Sequence, residues 1–154
     1  MRTIAAAGVL ALAACGGGGS SGPASTPPAP ATPTPQPVLV RDQNSSQPFQ
    51  SSASSPGRLN AGNTATMIVY EPGYSGSFTE TTIPVSLPSG SKVCVNADLV
   101  GSGGNGGQYL FIGTTLNQVA DPGCLFPQTV DVHLTDSAGR SGDLFVKVVT
   151  SSNQ

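Results

Sequence analysis

Tryptophan is absent from this chain, and charged residues make up only 9% of its 154 positions. An average soluble domain carries about 25% charged residues. The formal net charge of −2 also leaves no basic surface of the kind that binds nucleic acid or anionic lipid headgroups. The composition therefore argues against nucleic acid as a partner and is typical of an envelope or extracellular β protein.

The residues of common catalytic sites are also scarce. His133 is the only histidine, and because it alternates with apolar neighbours we expect it to face solvent without catalytic or metal-binding partners. No serine occurs in a GxSxG or SxxK pattern, and the carboxylates of residues 49–154 form no recognisable acid and base pair. Asp136 and Asp143 flank one turn but offer fewer oxygens than Ca²⁺ usually takes. We predict no enzyme activity, no cofactor and no metal.

The first apolar run is too short to cross a bilayer, which takes about 20 residues. Residues 1–14 contain Arg2, then a run of Ile, Val, Leu, Ala and Gly, and they end in the small residues before Cys15. A positive residue, a short apolar run and small residues are typical of a cleaved leader. We assign residues 1–14 to a signal peptide.

The stretch LAAC, which ends at Cys15, resembles the lipobox of bacterial lipoproteins. The resemblance implies that the Cys15 thiol receives a diacylglyceryl group, that cleavage occurs before it, and that the new amino group is usually acylated. Several acyl chains give durable attachment, because each buried CH₂ contributes about 0.8 kcal/mol. Gly16 stands where lipoproteins of the inner membrane commonly carry aspartate, which favours the outer membrane in a Gram-negative host. A Gram-positive surface lipoprotein and an ordinary secretory leader remain the alternatives.

Glycine, serine and proline dominate residues 15–48, which we assign to the lipidated cysteine and a disordered linker. Proline favours extended polyproline II because its φ angle is fixed and its amide hydrogen is missing. At about 3.1 Å per residue this linker reaches roughly 100 Å. Residues 38–40 are either an edge strand of the following domain or more of the linker.

Short β-branched and apolar segments separated by turn residues fill residues 49–154. Their period-two alternation gives each strand one inward face, and no run of ten residues has an uninterrupted helical period. Six or seven strands at this spacing predict an all-β fold, a small antiparallel β-sandwich. The residues that alternate on one face of their strands are Val93, Val95, Ala97, Leu99, Val130, Val132, Leu134, Leu144, Val146 and Val148.

Two stretches, VYEPGYSGSFT at residues 69–79 and VDVHLTDSAGRSGDLFVKVVT at residues 130–150, resemble bacterial Ig-like domains. In the second stretch a strand, a turn with Gly139 and a closing alternating strand follow in order. The resemblance implies an Ig-like sandwich that serves as a stalk, spacer or adhesion unit. The chain departs from antibody-type domains, since it lacks tryptophan and places Cys94 on the more polar face of its strand. No binding site is therefore carried over.

Cys94 and Cys124 are the two cysteines that remain once Cys15 is assigned to lipidation. An even pair in an exported domain predicts a disulfide, because the compartment is oxidising and no metal-binding CxxC spacing is present. Cys124 follows the turn ADPG, so we expect the bridge to join a loop to a strand outside the core.

Tyr74 and Tyr109 lie in or beside glycine-rich turns and are the candidate ligand contacts, since an exposed ring can stack on a sugar or a partner protein. The stretch GSGGNGG at residues 101–107 lacks the lysine and hydroxyl residue of a phosphate-binding loop and predicts a mobile hairpin loop. We expect a non-catalytic lipoprotein, anchored to the cell envelope by its acyl chains, whose sandwich acts as a structural or protein-interaction and adhesion module with an envelope protein as partner. The alternative is a module that binds glycan or peptidoglycan.

Overall fold

The structure, a computed structural model, describes residues 37–150, which contain eight β-strands and one short α-helix. The elements are β1 (Leu39–Asp42), β2 (Gly57–Asn60), β3 (Thr64–Tyr70), β4 (Phe78–Ser86), β5 (Asn96–Gly104), β6 (Gly107–Gly113), α1 (Leu116–Val119), β7 (Gln128–Asp136) and β8 (Ser141–Val149). Within this part of the chain, no helix is long and apolar enough to cross a membrane.

The strands form two four-stranded sheets. The first sheet has the order β1-β3-β6-β5 and the second has the order β2-β8-β7-β4. Neighbouring strands are antiparallel, except that β2 runs parallel to β8. This is the ABED and CFG strand arrangement of an Ig sandwich, with β2 added beside the last strand. The predicted all-β class and antiparallel Ig-like sandwich are confirmed.

One hydrophobic core lies between the sheets and is built by strand alternation. Val130, Val132 and Leu134 of β7 are fully buried, and every second residue between them faces outward. The inward faces expected for β7 and β8 are therefore confirmed. The most deeply buried core residues are Val69, Leu110, Ile112, Val130, Val132, Leu134, Leu144 and Val148.

The sandwich begins earlier in the chain than the sequence indicated. β1 pairs with β3, and Val38 and Val40 are only 4% and 6% exposed. The backbone N–H of Phe49 also donates to the carbonyl of Val40 at 2.6 Å. The expected linker end at residue 48 and domain start at residue 49 are therefore corrected, and residues 38–40 belong to the sandwich. The predicted signal peptide, Cys15 and linker residues 16–36 lie outside the described residues.

The segment before β5 also differs from the expected strand. β5 begins at Asn96, so Cys94 precedes the strand and has no exposed surface, whereas Val93 is 37% exposed. The backbone N–H of Cys94 donates to the side-chain oxygen of Gln128 at 2.9 Å. This bond replaces a strand pairing and turns Cys94 inward, which explains why simple alternation failed here.

The glycine-rich stretch forms the hairpin that was expected, with a shorter turn. β5 continues to Gly104 and β6 begins at Gly107, so only Asn105 and Gly106 connect them. Both connecting residues have positive φ angles, 50° and 77°, as a two-residue hairpin turn of the I′ type requires. A register shift between Val100 and Gly104 bends this end of β5.

Candidate functional site

Aromatic side chains occupy neighbouring positions on the outward side of the first sheet. Tyr109 of β6 pairs with Val100 of β5 on one side and Ile68 of β3 on the other. Directly opposite residues on paired strands point to the same face, and the residues between these positions belong to the core. We call the outward set Tyr70, Val100, Tyr109 and Phe111 the aromatic face.

The aromatic face combines ring contacts with one cation. The rings of Tyr109 and Phe111 have centroids 6.4 Å apart and are tilted by 40°. The Arg41 guanidinium carbon lies 5.7 Å from the centre of the Tyr70 ring, which is within cation–π range. Val100 is 52% exposed, while the three rings are partly buried. The face thus offers flat apolar surface that water still reaches.

Two glycines allow the hairpin to lie close to the centre of this face. A Cβ atom at Gly107 would be 2.8 Å from the Cγ2 atom of Ile68, and one at Gly103 would be 3.2 Å from the same atom. Ile68 is consequently only 4% exposed although it points outward. Gly103 and Gly107 therefore serve packing at the aromatic face.

Tyr109 lies on the aromatic face as a partly exposed ring, but Tyr74 does not. The Tyr74 hydroxyl is 2.7 Å from the Ser137 hydroxyl and donates to the carbonyl of Ser77 at 3.0 Å. Its ring makes an edge contact with Phe78 and lies 5.1 Å from the Arg140 guanidinium carbon. Tyr74 thus joins the β3–β4 loop to the β7–β8 turn, and this role accounts for the side chain without a ligand.

Arg140 lies between two buried carboxylates at this end of the sandwich. Its Nη1 atom is 2.6 Å from Glu71 Oε1, and its Nε atom donates to Asp136 Oδ2 at 2.6 Å. Asp136 Oδ1 also accepts backbone N–H groups of Ala138 and Arg140, which shapes the turn between β7 and β8. Glu71 Oε2 is buried and has no hydrogen-bond partner among the described residues.

The two carboxylates respond to this environment in opposite directions. Burial raises the pKa of Glu71 above its usual 4.5, and Asp136 adds to the increase although Arg140 opposes it. Burial also acts to raise the pKa of Asp136, but hydrogen bonds from Arg140 and Ala138 outweigh it and the pKa lies below its usual 3.8. The buried cluster holds two carboxylates and only one guanidinium. Asp136, which accepts more hydrogen bonds, therefore ionises more readily than Glu71.

The predicted disulfide between Cys94 and Cys124 is present, with a Cα–Cα distance of 5.8 Å. It joins the segment before β5 to the segment between α1 and β7, so it connects two loops, not the expected loop and strand. Both cysteines lie away from β3 and β7, the strands that an antibody-type bridge connects.

A buried glutamine, Gln128, holds the two disulfide-bonded loops together by hydrogen bonds. Gln128 has no exposed surface, accepts the Cys94 N–H, and donates to the carbonyls of Lys92 and Leu125 at 2.9 and 3.0 Å. The sequence analysis missed Gln128, since nothing in the sequence distinguishes it from a surface glutamine at the start of a strand.

His133 faces outward as expected, but it has a partner that the sequence analysis did not find. Its Nδ1 atom is 2.7 Å from Asp143 Oδ1 across the β7–β8 hairpin. Burial raises the pKa of the neighbouring Asp131 above its usual 3.8, and the Asp143 charge adds to this. The turn sequence DSAGR could have revealed this pair. If Asp136 and Arg140 are opposite each other across the turn, then counting three residues away from the turn on each strand places His133 opposite Asp143.

Two hollows in the sandwich are smaller than ordinary ligand sites. One, of about 230 Å³, lies at an open edge between the sheets and is lined by Phe49, Met67 and other mostly apolar side chains. This volume is below the roughly 300–1,000 Å³ of typical small-molecule pockets. The other, of about 180 Å³, borders the aromatic face and is lined by Asn96, Asp98 and Phe111, among others.

Comparison with known proteins adds little to this description. No protein-family model matches the chain, and no curated protein matches it. Among solved structures, the chain is similar to the M1 domain from titin with a TM-score of 0.33 and 10% sequence identity. The match covers 64% of this chain and 90% of the titin domain. A TM-score this low supports no conclusion about the chain. The Ig-like assignment therefore rests on the strand order.

Proposed function

We propose that this chain is a non-catalytic envelope lipoprotein whose Ig-like sandwich is an interaction module, with the aromatic face as its contact surface. The LAAC stretch supports a lipid anchor at Cys15. With β1 beginning at Leu39, the segment between anchor and sandwich spans at most about 70 Å when extended. This reach is shorter than the roughly 100 Å expected for a linker that ends at residue 48. A segment of this length still separates the sandwich from the membrane.

The single observation that carries the proposal is the row of aromatic side chains across two central strands. Tyr and Phe are enriched in protein interfaces, because they bury a large area at little cost in side-chain entropy. The outward side of β7, by contrast, carries Asp131, His133 and Thr135. A face of aromatic and apolar side chains, with Arg41 and Asp98 at its edges, is the more suitable surface for a protein partner.

A glycan is the second candidate ligand, favoured by the hollow beside Phe111. Asn96 and Asp98 line that hollow, and both are exposed. An aromatic ring next to amide and carboxylate groups can stack on a sugar and bind its hydroxyl groups.

Photo-cross-linking in intact cells tests the contact surface. A photo-reactive phenylalanine replaces Val100 on the aromatic face or Ile83 on the outward side of β4, since these apolar residues are 52% and 42% exposed. We expect a discrete protein adduct from position 100 that disappears when Tyr109→Ala is added, and no such adduct from position 83. Equal adducts from both positions, or none, would refute the assignment of the aromatic face.

Sedimentation with insoluble peptidoglycan tests the second candidate. Retention of the wild-type chain that is lost in Phe111→Ala and kept in Ile83→Ala would favour the glycan ligand over the protein partner. No retention of the wild-type chain would exclude peptidoglycan and leave the protein partner as the proposal.

A further inference from the structure

The outward side of the second sheet gathers one imidazole and two carboxylates. Asp131, His133 and Asp143 each offer one ligand atom, and these three atoms lie within 4.8 Å of one another. His133 and Asp143 are directly paired across the β7–β8 hairpin, and Asp131 lies two residues before His133 on the same face. Paired strands hold such side chains in place better than a loop does.

The charges of this cluster are incompletely balanced. Among residues 37–150, no lysine or arginine forms an ion pair with Asp131 or Asp143, and His133 is the partner of Asp143. Asp131 Oδ1 is buried and has no hydrogen-bond partner in this part of the chain. A buried unpartnered carboxylate oxygen is unfavourable unless a hydrogen-bond donor or a cation satisfies it.

The residues paired with Asp131 on both sides are apolar and provide no side-chain donor for this oxygen. Asp131 stands opposite Ile83 of β4 on one side and Phe145 of β8 on the other. These apolar side chains limit access to the carboxylate, while His133 and Asp143 are partly open to solvent, at 38% and 49% side-chain exposure. An ion would therefore enter from the side of His133 and Asp143.

We propose that Asp131, His133 and Asp143 form a binding site for a divalent transition metal ion of the zinc type. Imidazole and carboxylate are both ligands of Zn²⁺, and three protein ligands leave one tetrahedral position for water. Ca²⁺ takes six to eight oxygens, more than two carboxylates supply. The ion takes the place of the proton between His133 Nδ1 and Asp143 Oδ1. The metal-bound imidazole then carries its one proton on Nε2, and solvent mediates this transfer between the two ring nitrogens.

The test is a Zn²⁺ titration of the full chain carrying Cys15→Ser, which removes the one thiol outside the disulfide. Because His133 is the only histidine, its ring resonances give an unambiguous NMR signal. Calorimetry measures the stoichiometry and affinity in parallel, with Ca²⁺ as the comparison ion. The variants are His133→Ala and Asp143→Asn, and Asp98→Asn is the control, an exposed carboxylate on the other sheet.

We expect one Zn²⁺ per chain, a saturable shift of the His133 ring signals, and weak or absent Ca²⁺ binding. Loss of one ligand should lower the Zn²⁺ affinity by about 10-fold or more, as is found even for residues that only support metal ligands. Asp98→Asn should leave the affinity unchanged. Ring signals that do not move, or an affinity that is equal in all variants, would overturn the proposal, and the first of these results needs no variant.

Discussion

Gln128 illustrates how one buried polar side chain supports two loops. Its amide binds the N–H of Cys94 and the carbonyls of Lys92 and Leu125. Gln128→Leu keeps the volume but leaves the buried Cys94 N–H without its acceptor, and the two carbonyls keep only the Ser91 hydroxyl as a shared donor. Each buried unsatisfied group costs about 1–3 kcal/mol. We expect the free energy of unfolding, measured by urea denaturation, to fall by about 3 kcal/mol.

The matched control for this change is Gln118→Leu. The bonds of Gln118 to Thr115 and Asn96 are exposed, so water can replace them. Its effect should stay within about 0.5 kcal/mol. Equal effects of the two substitutions would show that Gln128 has no special role in holding the disulfide loops.

Glu71 makes stability depend on pH. Because burial raises its pKa above 4.5 in the folded protein, the folded state binds a proton more tightly than the unfolded state does. The resulting stabilisation is complete below pH 4.5 and is lost as pH rises through the folded pKa. Asp136 acts in the opposite sense, since its lowered pKa means that stability is lost as pH falls below 3.8.

The variant Glu71→Gln isolates the first of these contributions. We expect the free energy of unfolding of the wild type, minus that of the variant, to decrease as pH rises from 4.5 to 7 in urea titrations. The raised pKa of Asp131 is common to both chains and cancels in this difference. A difference that is constant or increases with pH would contradict the buried position of Glu71.

Single side chains were the least predictable part of the molecule. Tyr74 was a candidate ligand contact. Its hydroxyl is engaged by Ser77 and Ser137, and the second of these contacts joins loops far apart in sequence. Tyr70 and Phe111 were missed because membership of the aromatic face depends on which strands are neighbours. Alternation alone does not identify those neighbours.

The β5–β6 hairpin depends on glycine at its turn. A Cβ atom at Gly106 would be 2.5 Å from the carbonyl oxygen of Tyr74, whereas one at Gly104 would have no atom within 4 Å. Both residues have similar positive φ angles, 77° and 76°, so alanine causes similar backbone strain at the two positions. Comparing alanine at these two positions therefore separates the backbone strain of a positive φ angle from the steric conflict with Tyr74.

We expect Gly104→Ala to lower the free energy of unfolding by about 1 kcal/mol, which is the cost of the left-handed conformation. Gly106→Ala should lower it by at least about 1 kcal/mol more, since the backbone of Tyr74 must also move. Thermal and urea unfolding of both variants measure the difference. Equal losses would mean that the hairpin turn does not contact the β3–β4 loop.

Long alternating strands were predictable from the sequence, and short ones were not. β7 and β8 each have nine residues with regular inward valine and leucine, so their faces follow from period two. β1 and β2 have four residues each, and β2, with the sequence GRLN, shows no clear alternation. Their strand structure comes from pairing with β3 and β8, which is information that a four-residue window does not contain.

The extent of the folded unit follows from these short strands. Val38 and Val40 contribute to the core, and fully burying one valine contributes about 1.5–3 kcal/mol. A chain that starts at residue 49 should therefore be at least about 3 kcal/mol less stable than one that starts at residue 37. Urea denaturation of the two chains measures this difference.

The whole molecule, as we propose it, is a sandwich held near a membrane with its aromatic face free for a partner. The sandwich and its face follow from residues 37–150, whereas the anchor rests on the LAAC stretch before Cys15. If the anchor is absent, the aromatic face belongs to a secreted domain, and its partner need not be an envelope protein.

The intact mass of the native protein, purified in detergent from membranes, tests the anchor most directly, with Cys15→Ser as the control. The account predicts a mature chain that begins at Cys15 and carries the added mass of a diacylglyceryl group and an N-linked acyl chain. The Cys15→Ser variant should lack this mass. A wild-type chain that is cleaved elsewhere and carries no acyl group would contradict the account.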